Sequence, residues 1–523
     1  MNKIENLSEK QNQLLFWGCF AALAATSFGF IVRTQVIGDW GVEFGLSETE
    51  KGEIFGVGLW PFCISIILFS LIVDKIGYGI SMMIAFGLHV LSAVVTIFAD
   101  GYWMLYIGTF ILALGNGTVE AAINPVVATI YPKEKTKWMN ILHAGWPAGL
   151  VLGGILAILM GPQTGWEWKV ALVLIPVFIY GFVLYGREFP VQERVKAGVS
   201  YKDMLSEAGA LGFFLILYIV LLEINRVAGL SPLVEGELFS LPHISLTILL
   251  VVVSVAYYMY TESFGRPLFV ILLLIMVPLA TTELGTDSWI TELMVPFLGD
   301  NAGWVVVYTA LIMMVLRFYA GPIVHRISPL GLLALSSAIA LVGLVILSSA
   351  TGFMIFISAT IYGLGKTFFW PTMLGVAGER FPKGGALTLN AITGVGMLAA
   401  GVFGAAFLGN IQDKQIDRDL FDQNSAVHAK VMGNEKSSIF GDYKPIDQQK
   451  VNSLSTSEKS VISKIQTNAK QGALSTVAIF PAIMLVSYLG MMMYFRSIGG
   501  YKQIHLNEEE ISEGSIDTSD EEE

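Results

Sequence analysis

From about residue 13 to residue 495 the chain is built around apolar stretches of 18 or more residues, each long enough to cross roughly 30 Å of hydrocarbon as a helix. A backbone crossing lipid must satisfy its own hydrogen bonds, so such stretches fold as helices packed in a bundle. A soluble core has no use for so many. Composition agrees, with 54% hydrophobic and only 14% charged residues among 523. The net charge of −11 collects largely in residues 507–523 and in one long polar segment before the last span, and neither is the basic surface a nucleic acid would need. Cys19 and Cys63 both lie in apolar spans, where a thiol behaves as a small hydrophobe. They imply no disulfide framework, and the scattered histidines no metal cluster, so no cofactor is expected. Residues 1–12 lead into a span of about 24 residues without a small-residue cleavage site, which reads as a permanent span.

Hydropathy places six spans at about 13–37, 53–73, 80–98, 103–131, 140–161 and 168–186, then a charged linker, 187–208. An extra pair follows at about 209–226 and 243–261, then six more spans at about 267–288, 303–321, 329–348, 351–374, 385–408 and 473–495. The expected organisation is thus an N-terminal piece (1–12), a six-helix half (13–186), the linker, the extra pair (209–261), a second half (262–495) and an acidic tail (496–523), with fourteen spans in all. Placing both termini in the cytoplasm puts twelve Lys and Arg residues of short loops on that side, Lys75, Lys133, Arg187, Arg266 and Arg380 among them, against Lys51, Lys169 and Arg226 opposite. The polar stretch 410–471 then faces outward as a long loop, with a surface helix near 455–470.

The second half repeats the first. Gly115 and Pro132 fall on Gly365 and Pro382 at an offset of 250, and His143, Gly149 and Gly154 fall on Asn390, Gly396 and Gly401 at an offset of 247. The loop Asp74-Lys75 falls on His325-Arg326 in the same order. Two halves of like topology suit a transporter that holds its solute near the midplane between them.

Six plus six spans around a charged linker, with the loop sequences SLIVDKIG and AGPIVHRIS after spans 2 and 8, resemble the major facilitator superfamily. Within it, GNGTVEAAINPVV in span 4 is similar to the stretch E-[TA]-A-x-N-P of the fucose:proton symporter group. The resemblance implies an all-α membrane fold that moves a sugar or sugar-like solute by proton-coupled symport, without covalent chemistry, as a monomer in the plasma membrane, the inner membrane in a bacterium. It also implies that Glu120 carries the proton. The chain departs from that group where Arg33-Thr34 stands in place of a span 1 aspartate, and in the extra pair.

An ionisable group inside a span costs about 2.5–3.5 kcal/mol at the bilayer centre and needs a reason. Asn116, Glu120 and Asn124 recur every four residues and stripe one face of span 4. His143, Asn390, Trp146 and Trp370 are candidate solute contacts, and Lys366, too deep in span 10 to snorkel outward, requires an acid or an anionic solute. Trp60 serves equally well as packing, and His89 reads as structural. Arg33 maps by the repeat onto Glu283, so Arg33 with Glu283 or Asp287 is expected as an outer gate. Asp74 and Arg317 are assigned conformational contacts at helix ends, and Glu120 and Lys366, at one level, are expected to face each other. The alternatives are an organic-anion or sugar-acid carrier, favoured by Arg33 and Lys366, and a membrane solute sensor. No GxxxxGK[ST] or HExxH is present, which argues against an ATP-driven motor or a metalloenzyme.

Overall fold

The computed structural model describes residues 8–132, 134–227, 241–324, 326–438 and 440–504. His325 of the repeat, Lys133 of the charge bias, residues 1–7 and the acidic tail from 505 onward lie outside the described residues. Helical passages follow one another along the described residues and cover the fourteen expected stretches, and eleven helices among them are long and apolar enough to cross a membrane.

Local chemistry sets where they begin and break. Span 1, Glu9–Phe44, starts at a capping box in which Ser8 and Gln11 satisfy each other's backbone groups, and it ends at Gly45 with φ of +67°. Span 2 is two helices, Glu48–Val57 and Trp60–Ile76, the second opened by Pro61 just inside its start. Spans 3 and 4 are Tyr78–Ile97 and Tyr102–Ile130. Span 5 bends between Lys135–His143 and Gly145–Leu159, and span 6 runs from Trp166 to Leu184 with an interruption. In the second half span 7 carries a π-helical turn, Thr281–Gly285, between Pro267–Ala280 and Thr286–Leu298. Span 8 is Trp304–Phe318 and span 9 is Pro329–Leu347. Span 10 breaks between Met354–Lys366 and Phe369–Arg380, and span 11 has a π turn at Ala400–Gly404.

The repeat is visible in packing. A Cβ on Gly115 would sit 2.4 Å from the ring of His89 in span 3, and one on Gly365 would sit 2.3 Å from the backbone of Ala340 in span 9. Equivalent glycines therefore bring equivalent helix pairs to contact distance. The halves meet through span 2 on span 11, span 5 on span 8 and span 5 on span 10, while the π turns of spans 7 and 11 pack on each other within the second half.

The extra helices, Tyr201–Val227 and Leu241–Thr261, pack together beside spans 7 and 11. Ile219 of the first joins a cluster with Trp60 and Tyr106 of one half and Leu398 and Val402 of the other, so this helix covers part of the seam. The second turns Val252, Val255 and Met259 outward as an exposed apolar surface.

Where the sequence reading expects a loop over 410–471, the chain is largely helical. Span 11 continues as Ala405–Val431, span 12 begins at Thr456, and a short hairpin pairs Lys436–Ser438 with Gly441–Tyr443. Ile416, Leu420, Val427, Ile462 and Ile465 bury one another in a small core of their own. Those apolar positions are too sparse to span a membrane, yet their spacing of about four residues suffices for two amphipathic helices.

Candidate transport site

The midplane of the bundle is crossed by polar side chains that the helix breaks bring inward. In span 4, Glu120 is 1% exposed and accepts a hydrogen bond from Asn124 Nδ2 at 3.2 Å, one turn on. Asn124 Oδ1 lies 3.2 Å from His143 Nε2 at the bend of span 5. Among the described residues no ion pair reaches Glu120.

The second half supplies two ion pairs. Arg317 Nη2 meets Glu283 Oε1 at 3.2 Å, both fully buried, with Glu283 inside the π turn of span 7. The rest of the guanidinium is used as well: Nε donates to the Thr367 carbonyl at 2.7 Å, left open by the break in span 10, and Nη1 to the His143 carbonyl at 2.9 Å across the boundary between halves. The planar fork of arginine spreads its donors over three nitrogens and so reaches three separated acceptors at once, where a lysine has a single nitrogen. Lys366, 0% exposed, places Nζ 2.5 Å from both carboxylate oxygens of Asp287 and 5.1 Å from the ring centre of Tyr362, whose hydroxyl donates to the Thr282 carbonyl at 2.7 Å. Net charge over these four groups is zero, as burial requires.

These contacts redraw the expected pairings. Glu283 and Asp287 are partners of Arg317 and Lys366 within their own half, so neither pairs with Arg33 in this conformation. Lys366 likewise faces Asp287 and not Glu120. Arg317 lies in the last turn of span 8, with its guanidinium buried against the other half. Asp74 does sit at a helix end, ion-paired with Arg194 of the linker. Asn116 leaves the stripe: its Oδ1 lies 3.0 Å from His89 Nε2, and Tyr180 contacts His89 Nδ1 at 3.0 Å, a chain running to spans 3 and 6. Asn390 bridges the halves, donating to Ser70 Oγ at 2.7 Å and to the Ala121 carbonyl at 3.3 Å. Trp146 packs on Phe30, and Trp370 lies against Gly396 with no room between for a Cβ. Sequence reasoning had Arg317, Glu283, Asp287 and Lys366 as separate residues; it did not find that they form two adjacent pairs.

The halves are closed at both ends. On the linker side Thr136 of span 5 hydrogen-bonds Glu379 of span 10, which also accepts from Tyr501 at 2.8 Å. On the opposite side Thr49 donates to Asp413 at 2.8 Å, and Lys436 of the hairpin approaches Glu50 at 3.4 Å.

The sequence model of the Major Facilitator Superfamily matches residues 14–405. A Protein TsgA homolog of Buchnera aphidicola subsp. Schizaphis graminum is 24% identical over 213 residues, 40% of this chain and 55% of that protein. The cis,cis-muconate transport protein of Acinetobacter baylyi is 23% identical over 168 residues, 32% of this chain and 41% of that protein. The chain thus spans about half the length of these curated relatives. Among solved structures, the proton:xylose symporter XylE bound to 6-bromo-6-deoxy-D-glucose superposes with a TM-score of 0.57 at 13% identity, over 92% of this chain and 97% of that one, a likeness of fold.

Proposed function

The chain belongs to the Major Facilitator Superfamily of transporters, and from that premise we propose that it is a proton-coupled secondary carrier of a small sugar-like solute, with Glu120 carrying the proton. One observation supports this above the rest: Glu120 is enclosed, in a span, with an asparagine and no cation beside it. A lone carboxylate is costly in such surroundings, whereas the carboxylic acid can both donate and accept, so the closed state is crossed most cheaply with the proton on. Asn124 and His143 extend from it to the carbonyl that Arg317 grips. Solute and proton then load together, the halves close as they stand here, and opening to water on the other side lets the proton leave. Asn390, Trp146 and Trp370 are the proposed solute contacts. Both termini are placed in the cytoplasm by the charge bias of the loops.

A second reading, an anionic solute, is favoured by the Lys366–Asp287 pair, because a carboxylate-bearing solute can take the place of Asp287 on the ammonium. The test is uptake of labelled sugars and sugar acids by the purified chain in proteoliposomes, with and without an imposed pH gradient. Accumulation should require the gradient, and Glu120→Gln should abolish it while leaving exchange between preloaded vesicles. A Glu120→Gln variant that still concentrates solute under a pH difference would refute the assignment of the proton. Uptake confined to acids, lost on Lys366→Gln, would select the second reading.

A further inference from the structure

Arg33 differs from the cations Arg317 and Lys366 buried in the second half. Arg317 and Lys366 each face a carboxylate, whereas Arg33, 4% exposed in span 1, takes part in no ion pair among the described residues, and its Nε and Nη1 have no hydrogen-bond acceptor. The acids nearest along the chain are engaged elsewhere. Asp39, 54% exposed, lies 3.8 Å from Lys169, and Glu43 accepts from Trp166 Nε1 at 2.7 Å. Glu50 closes the capping box with Ser47, and Glu53 accepts from Tyr102 at 2.7 Å. A buried charge without a partner costs several kcal/mol, so something must compensate it.

The surroundings indicate what. The guanidinium is set into the break of span 2, where a Cβ on Gly58 would lie 1.7 Å from Nη1, so no other residue fits there without displacing the arginine. Arg33 also lines a cavity of about 20 Å³ with Trp40, Ser92, Thr96 and Thr109 among others, all from spans 1, 3, 4 and 6 of the first half. Trp40 is fully buried, and its indole N–H, a donor only, also has no acceptor. Ser92 gives its proton to the Gly108 carbonyl at 2.7 Å. The lining therefore holds a cation, an unused N–H and two threonine hydroxyls, with no carboxylate. The volume exceeds the roughly 10–15 Å³ that admits one water-sized sphere, and it is far too small for a sugar or an organic acid.

We infer that this cavity binds one small monovalent anion of about chloride size, held by Arg33 and Trp40 inside the first half and apart from the solute path. The anion supplies the counter-charge that no side chain gives, and it ties span 1 to spans 3 and 4.

The test uses the full purified chain in detergent, with chloride, bromide or gluconate as the anion at constant ionic strength. Chloride and bromide should raise the apparent melting temperature saturably over gluconate, since at ten times its Kd a ligand of the folded state multiplies the folded-to-unfolded ratio about elevenfold. Arg33→Gln should erase that rise. Trp40→Phe, which keeps the ring and loses the N–H, should move the saturation midpoint to several-fold higher chloride, and it decides the matter should Arg33→Gln fail to fold. Anomalous scattering from bromide should appear beside Arg33. Melting that ignores the anion, an undiminished chloride effect in Arg33→Gln, or density at the cavity that matches water alone overturns the inference.

Discussion

Arg317 carries the heaviest local burden in the structure, and removing it gives a sharp prediction. Arg317→Leu leaves Glu283 buried without its counter-charge, with Oε2 already lacking a partner, and it frees the carbonyls of Thr367 and His143. Breaking one side of a buried pair costs about 3–5 kcal/mol, on the order of two to three and a half powers of ten in the folded-to-unfolded ratio. Glu283→Leu strands the arginine at a similar cost. The double variant Arg317→Leu/Glu283→Leu carries neither charge, so it loses mainly the two carbonyl bonds, about 1.5–3 kcal/mol each before the helix ends relax. It should therefore melt above Arg317→Leu in the same detergent, because that variant loses the same two bonds and strands the carboxylate as well. Transport should stay absent, because the bond from Arg317 to the His143 carbonyl, which joins the halves, is gone. A double variant that loses as much stability as the two singles combined would refute the reasoning, since the pair would then contribute nothing as a pair.

Two further outcomes follow from the closed ends and the repeat. Cysteines placed at Thr49 and Asp413 should be joined by a short, reducible thiol crosslinker, stopping transport until reductant is added, with low background because Cys19 and Cys63 are buried; continued transport by the crosslinked chain counts against a gate there. Gly365→Val should destabilise the fold by about 1–3 kcal/mol or more, because its Cβ meets the Ala340 backbone, whereas Gly363→Ala, whose Cβ would meet Thr309 at an ordinary 3.5 Å, should be tolerated; equal melting temperatures for the two would undo the packing argument.

How far these features are legible in the sequence depends on the range over which their causes act. Span number and type are written in apolar length, and helix starts such as Ser8 with Gln11 and Ser47 with Glu50 in local capping chemistry, so both can be read without a structure. The repeat is legible because contact-making glycines leave the same spacing in each half. The helix that continues past residue 410 is obscured by a hydropathy window built for spans, although Ile416, Leu420, Val427 and Val431 carry the helical period, whereas the helix from Thr456 is legible over 455–470. Burial of Glu120 and Lys366 is likewise foreseeable, since each sits far from either end of an apolar span.

The partners of those charges are another matter, and the reason is geometric. The offset of 250 that maps Arg33 onto Glu283 assumes that equivalent helices keep the same turn, but span 7 carries the π turn Thr281–Gly285 and span 1 is regular at Arg33. One residue added to a helical turn rotates everything beyond it by roughly 100°. Glu283 lies within that turn and Asp287 just after it, and both face their own half, toward Arg317 and Lys366. Arg33, on an unbroken helix, turns instead into the first half against Gly58. A repeat can thus preserve the height of a residue while losing its direction, and charge pairing depends on direction. The drift of the offset from 251 after span 2 to 250 in span 4 and 247 in span 5 is a sign of such slippage in the sequence, and it does not say which side chain has turned.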